Sequence, residues 1–197
     1  MKRILLLLLS LSIGDAVFAQ QSSPTLIGSQ ANSKISGFGG PLIELSSLRG
    51  QSMVSIGGAG AACINGHFFF GGFGQSSTTK TLLSDNAIYN TDLSQGGFWL
   101  GYIFHPNRVV HITTDTKLGW TSATLTNTNT TSRTTQSGFT ITPSVGAEVN
   151  VASFLRVQLT GGYRLASNFG PMQLNALSNK DVDSVVGTLT LRFGWFR

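Results

Sequence analysis

Eight ionisable side chains stand where their spacing could matter to chemistry: Glu44, His111, Asp115, Lys117, Glu148, Arg156, Arg164 and Arg192. His111 and Asp115 are four apart in a strand-like run, so both lie on one face. A general base and the acid that orients it need that relation, but also a nucleophile beside them. No GxSxG occurs, and the single Cys63 makes CxxC impossible. A simple ion pair or hydrogen bond explains the two residues equally well. His67 and His105 both adjoin turn signals, with no third ligand at a metal-site spacing. Gly37-Phe38-Gly39-Gly40 resembles a phosphate loop only superficially, because it lies within a strand-like run and precedes no helix. The sequence therefore predicts no catalytic residue, no metal site and no cofactor. What remains for the charges is mutual pairing, which charged groups require when they are buried.

The elements that would position these charges are strands. Eight runs with strand character follow residue 33, and no convincing helix appears after residue 20. They are Lys34 to Ser46, Ser52 to Ile64, His67 to Gln75, Gly96 to Phe104, Arg108 to Thr121, Gly138 to Asn150, Phe154 to Ala166, and Val185 to Arg197. Asn65-Gly66 is a strong hairpin signal, and His105-Pro106-Asn107 and Val151-Ala152-Ser153 are short connections. Longer polar stretches cover Ser76 to Asp92, the Thr/Asn tract between Thr121 and Ser137, and Ser167 to Asp183. The connection Ser47 to Gln51 is short but belongs to the long-loop end. Tight turns at one end and longer loops at the other characterise outer-membrane barrels.

Parity assigns the faces. In the last run Leu189, Leu191, Phe193 and Trp195 alternate with Thr188, Thr190, Arg192 and Gly194. Glu44, His111, Asp115, Lys117, Glu148, Arg156 and Arg164 likewise fall opposite the apolar residues of their runs. Alternation alone also describes a soluble sheet with a solvated outer face. Three features favour a charged interior. Gly119, Gly146, Gly162 and Gly194 share the charged face and leave room for Arg and Lys in a narrow barrel. The runs follow one another with simple up-and-down connectivity. Aromatic residues gather near run ends, at Phe68, Phe98, Phe104, Trp120, Phe139, Phe154, Trp195 and Phe196, as in membrane-interface girdles. The third run is ambiguous, since Phe68-Phe69-Phe70 is apolar on both faces.

Composition agrees. The chain has 197 residues, only 11% of them charged, with 24 glycines and a formal net charge of +5. The basic residues are dispersed, which argues against a nucleic-acid partner. Met1-Lys2-Arg3, the apolar run from Ile4 and the small-x-small pattern Ala16-Val17-Phe18-Ala19 read as a cleaved signal peptide over residues 1–19. A flexible segment is expected over residues 20–32 and a barrel over residues 33–197.

The arrangement resembles the small eight-stranded outer-membrane barrels of the OmpA/OmpX type over residues of about 33–197, by topology and alternation. The resemblance implies an all-β, antiparallel, up-and-down transmembrane barrel in the outer membrane. It also implies that Leu189, Leu191, Phe193, Trp195 and Phe196 form the signal read by the barrel-assembly machinery, with Arg197 in the terminal place usually held by an aromatic residue. The expected protein is non-enzymatic and monomeric and contacts outer-membrane lipid. Its lumen is plugged by the charged network, and its long loops offer surface for an unidentified ligand, as in adhesion. Two alternatives remain at this point: a soluble lipocalin-like barrel with an apolar ligand, and a barrel enzyme acting on lipids.

Overall fold

The computed structural model describes residues 34–82, 88–127, 133–169 and 177–196. The expected signal peptide, the segment 20–32 and Arg197 lie outside the described residues. The strands are β1 (Ile35–Leu48), β2 (Gln51–Ile64), β3 (Phe68–Leu82), β4 (Ile88–Ile103), β5 (Val110–Asn127), β6 (Arg133–Ala152), β7 (Leu155–Ser167) and β8 (Ser184–Trp195). One short helix, α1 (Asn179–Val182), precedes β8. Each strand pairs antiparallel with its sequence neighbour, and β1 pairs with β8, so the sheet closes as an eight-stranded up-and-down barrel.

Local sequence accounts for the hairpins. Asn65 and Gly66 have φ of 54° and 73°, and the Ile64 carbonyl accepts from the His67 N–H. Two left-handed central residues make the turn whose twist matches the flanking strands. Arg49 and Gly50, with φ of 50° and 77°, close β1 onto β2 in the same way. Two prolines lie within strands, and each falls where a ladder is interrupted. The β1–β8 register skips Gly40 and Pro41, and the β6–β7 register skips Thr142 and Pro143. Proline has no N–H to give a ladder.

The outer wall is apolar at mid-height. Ile43, Val54, Ile112, Trp120, Val145, Leu159, Val185 and Phe193 are exposed on it, with Trp120 at 62% and Val185 at 72%. On β3 to β6 a row of serines crosses the outer wall toward the long-loop end. Ser76 pairs laterally with Ser94, Ser94 with Ser122, and Ser122 with Ser137. From Phe68 to Ser76 a tilted strand climbs roughly 20 Å, close to the height of a barrel's lipid-facing band.

Strands β3 to β6 continue past the serine row, which differs from the expectation of loops over Ser76 to Asp92 and Thr121 to Ser137. Ser and Thr occupy both faces there, so period two disappears from the sequence while the backbone ladder persists. Outward hydroxyls also meet across strands, Ser76 with Ser94 at 3.4 Å and Thr124 with Thr135 at 3.1 Å.

Of the stretch expected as a third polar loop, residues 167–169 and 177–183 are described, and they pack against the same end. Phe169, Leu177 and Val182 pack with Leu48, Met53, Leu93, Ala123 and Leu125 in an apolar cluster. Polar groups lock this lid. The Arg49 N–H donates to the Asp181 carbonyl at 2.9 Å, Ala166 N–H to Asp183 Oδ1 at 2.7 Å, and Leu177 N–H to Gln136 Oε1 at 2.7 Å. The expectation of no helix is corrected by α1, which Asp181 starts by accepting from both the N–H and the hydroxyl of Ser178.

Candidate functional site in the lumen

The lumen is lined by the alternate residues of all eight strands, and the eight ionisable side chains singled out above are buried there. They form two groups. In the first, Lys117 Nζ donates to Glu44 Oε2 at 2.9 Å, and Arg164 Nη2 lies 3.6 Å from Glu44 Oε1. Gln75 Nε2 donates to Glu44 at 2.9 Å and to Gln95 at 2.7 Å. Gln95 Nε2 donates to the Thr121 hydroxyl, which meets that of Thr140 at 3.0 Å. A polar chain thus runs from β1 through β3, β4 and β5 to β6.

Glu148 centres the second group. Arg192 Nη1 donates to Glu148 Oε2 at 2.6 Å, and Arg156 Nη1 to Oε1 at 3.0 Å. His111 Nε2 lies 2.9 Å from the same Oε1, and its Nδ1 lies 3.1 Å from the Arg108 carbonyl. Asp115 joins through an amide. Arg192 Nη2 donates to Gln158 Oε1 at 2.8 Å, and Gln158 Nε2 donates to Asp115 Oδ2 at 3.1 Å and to Thr113 at 2.9 Å. His111 and Asp115, four apart on one face of β5, therefore hold different partners. Among the described residues no group of three His, Cys, Asp or Glu is placed to hold a metal. His67 Nδ1 instead donates to the Ile103 carbonyl at 2.9 Å, and its ring stacks on Tyr102.

Aromatic rings inside the barrel were missed from sequence. Phe38, Phe69 and Trp99 pack edge to face with centroids 4.9 to 5.8 Å apart. The Arg192 guanidinium carbon sits 4.6 Å from the Phe38 ring centre and 4.7 Å from those of Phe69 and Trp99. Cation–π attraction is strengthened where water is excluded. Two lumen glycines stand against close neighbours. A Cβ on Gly119 would meet Phe73 Cζ at 2.9 Å, and one on Gly194 would run into the Gly37 carbonyl oxygen of β1. At Gly119 a ring takes the space, and at Gly194 the β1 backbone does. The clue lay in the odd members of the third run: Phe69 faces inward while Phe68 and Phe70 face outward.

In the terminal strand Leu189, Phe193 and Trp195 are exposed on the outer wall, and Leu191 is half-buried on the same side. Phe196, grouped with them from sequence, turns to the lumen end instead. Its ring stacks on Phe38 at 5.9 Å, and the Arg156 guanidinium lies 4.0 Å above it. It comes one residue after Trp195, so it takes the opposite face. Cys63 is buried on the lumen side as a free thiol.

A closed eight-stranded up-and-down barrel with a charged, ring-packed lumen and an apolar wall has the fold of the small outer-membrane β-barrel proteins. Neisserial surface protein A superposes with a TM-score of 0.58 and 13% identity, over 85% of this chain and all of that one. Ail, the attachment invasion locus protein of Yersinia pestis, gives 0.50 at 14% identity, over 84% of this chain and 99% of Ail. The N-terminal β-barrel domain of Pseudomonas aeruginosa OprF gives 0.50 at 10% identity, over 83% and 99%. No family model and no curated protein sequence matches the chain.

Proposed function

We propose that the chain is exported through the signal peptide at residues 1–19 and inserted into the outer membrane as a monomeric, non-enzymatic barrel. In this reading the lumen is plugged and the long-loop end serves surface interaction. The inversion of the wall carries it: Leu, Ile, Val, Phe and Trp face outward while Glu148, Arg192 and Glu44 are buried inside. A soluble lipocalin-like barrel would need the reverse, with an apolar cavity inside and charges in water. An enzyme acting on lipids would need a nucleophile beside His111, whose ring is held by Glu148 and the Arg108 carbonyl.

The plug rests on space and pairing. The Glu44 group, the Glu148 group with the aromatic rings packed around its Arg192, and the apolar cluster of Leu48, Met53 and Leu125 all lie inside the barrel, and an eight-stranded interior is narrow enough for side chains to fill. The surface role rests on the extensions of β4 to β6, where Asn90, Ser122, Thr124, Thr126 and Thr135 stand on the outer face. Ail is an attachment invasion locus protein and has been solved with the heparin analogue sucrose octasulfate. On this chain the outward hydroxyls of Ser122, Thr124 and Thr135 suit a polar, sugar-like partner. The outward side chains of Leu189, Leu191, Phe193 and Trp195 suit the terminal strand to recognition by the barrel-assembly machinery.

Membrane fractionation followed by gel electrophoresis of heated and unheated samples tests the insertion. A folded, heat-modifiable band confined to the outer membrane is expected. A protein soluble without detergent would overturn the proposal.

A further inference from the structure

The connection between β4 and β5 builds a groove on the outside of the barrel at its short-turn end. The groove has a volume of about 240 Å³ and is lined by Phe104, His105, Arg108, Val110, Ile112 and Ala147, with His111 at its back. Its wall is continuous with the apolar belt, since Val110 and Ile112 are each 59% exposed there. Its rim carries the Arg108 guanidinium beside the His105 imidazole. The Arg108 and His105 side chains are exposed and have no ion pair with a described residue.

The backbone carrying these two residues is fixed. Arg108 N–H donates to the His105 carbonyl at 3.0 Å, and Asn150 Nδ2 donates to the carbonyls of Arg108 at 2.9 Å and Pro106 at 3.1 Å. His111 Nδ1 bonds the Arg108 carbonyl from the lumen side. Asn150 N–H donates to the Val109 carbonyl at 2.8 Å, and Phe104 N–H to the Ile112 carbonyl at 2.9 Å. A loop held at this many points presents its side chains at a set height against the wall.

We infer that this groove binds one glycerophospholipid of the periplasmic leaflet, its phosphate at Arg108 and His105 and an acyl chain along Val110, Ile112 and Ala147. The inference rests on the proposed membrane insertion. Two properties select the occupant. The apolar lining continues the lipid-facing belt without a break, and an unpaired guanidinium at its edge complements a phosphate, to which arginine can offer two parallel N–H groups. A soluble anion would use the rim and leave the groove empty.

Native mass spectrometry of the full-length protein, released from detergent with added lipid, tests this. Wild type is expected to retain one phosphatidylglycerol, and not the phosphate-free diacylglycerol with the same acyl chains. Arg108→Gln should weaken retention roughly tenfold, the usual scale for one charge-assisted contact. Ala147→Trp should do so by filling the groove while leaving Arg108 in place. Both positions face outward, so both variants should still give the heat-modifiable folded band. Equal retention by all three folded proteins would overturn the site alone. Capture of inorganic phosphate in an Arg108-dependent way, with no lipid retained, would overturn the lipid assignment. Loss of the folded band from wild type itself would overturn the membrane reading on which the site depends.

Discussion

Glu148 on β6 and Arg192 on β8 meet at 2.6 Å across the lumen, each with essentially no exposed surface. Neither strand pairs with the other, since β7 lies between them. The contact therefore ties non-adjacent staves of the barrel, and Arg156 on β7 and His111 on β5 converge on the same carboxylate.

Removing that carboxylate leaves two guanidinium groups buried without their main counter-charge. Glu148→Ala is expected to cost about 3–5 kcal/mol, the range for breaking a buried ion pair by deleting one partner. Urea unfolding in lipid vesicles, followed by heat-modifiable migration, measures it. A loss below about 1 kcal/mol, the scale of an exposed pair, would mean that Glu148 is not buried as described.

Arg192 offers a different contrast. Lysine at this position keeps the charge but cannot offer parallel N–H groups to both Glu148 and Gln158, nor stack its plane on Phe38, Phe69 and Trp99. Arg192→Lys is expected to be destabilised by more than about 1 kcal/mol in the same unfolding assay. A variant as stable as wild type would show that charge alone matters here.

If the lumen is plugged, purified protein in planar bilayers conducts no steady current. A stable, reproducible conductance in wild type would contradict the proposed plug built from the Glu44 and Glu148 groups and the rings of Phe38, Phe69 and Trp99.

The serine row divides the outer wall, and arginine can locate the division. Leu159→Arg, within the apolar belt, is expected to cost up to about 2–4 kcal/mol depending on depth. Thr135→Arg, above Ser137 on β6, should leave stability within about 0.5 kcal/mol of wild type. Similar costs at both positions would deny that the apolar wall ends near Ser137 on β6.

The lid gives a local prediction. Asp181 accepts from Ser178 and pairs with Arg49 at 3.3 Å. Asp181→Ala should raise hydrogen exchange around α1 while leaving exchange in β7 and β8 unchanged, and should cost about 1 kcal/mol locally. Unchanged exchange at α1 would show that the apolar contacts of Leu177 and Val182 suffice to hold it.

Strands were readable wherever their two faces met different surroundings. In β1, β5, β7 and β8 the apolar residues Ile43, Ile112, Leu159 and Leu189 fall on one parity and the charges on the other, so both the strand and the side of Glu44, Asp115, Arg164 or Arg192 could be read from parity. Past the serine row that contrast vanishes. Thr124 and Leu125 lie on opposite faces, but most neighbours on both faces are hydroxyl-bearing, and a strand then looks like a loop. The three consecutive phenylalanines fail for the opposite reason, because lipid and a ring-packed interior both accept Phe.

Composition and period by themselves determined that the chain makes alternating strands joined by tight turns at one end, and which residues share a face. Those features depend on local backbone geometry and on the two-residue repeat of a strand. Only the closed barrel decided which side chains meet. Strand tilt and stagger bring Glu44 to Lys117 across 73 positions of sequence, and set Arg192 among Phe38, Phe69 and Trp99 from three other strands. No local pattern encodes that stagger. It arises when β1 and β8 pair and all eight inward faces must fill one narrow space.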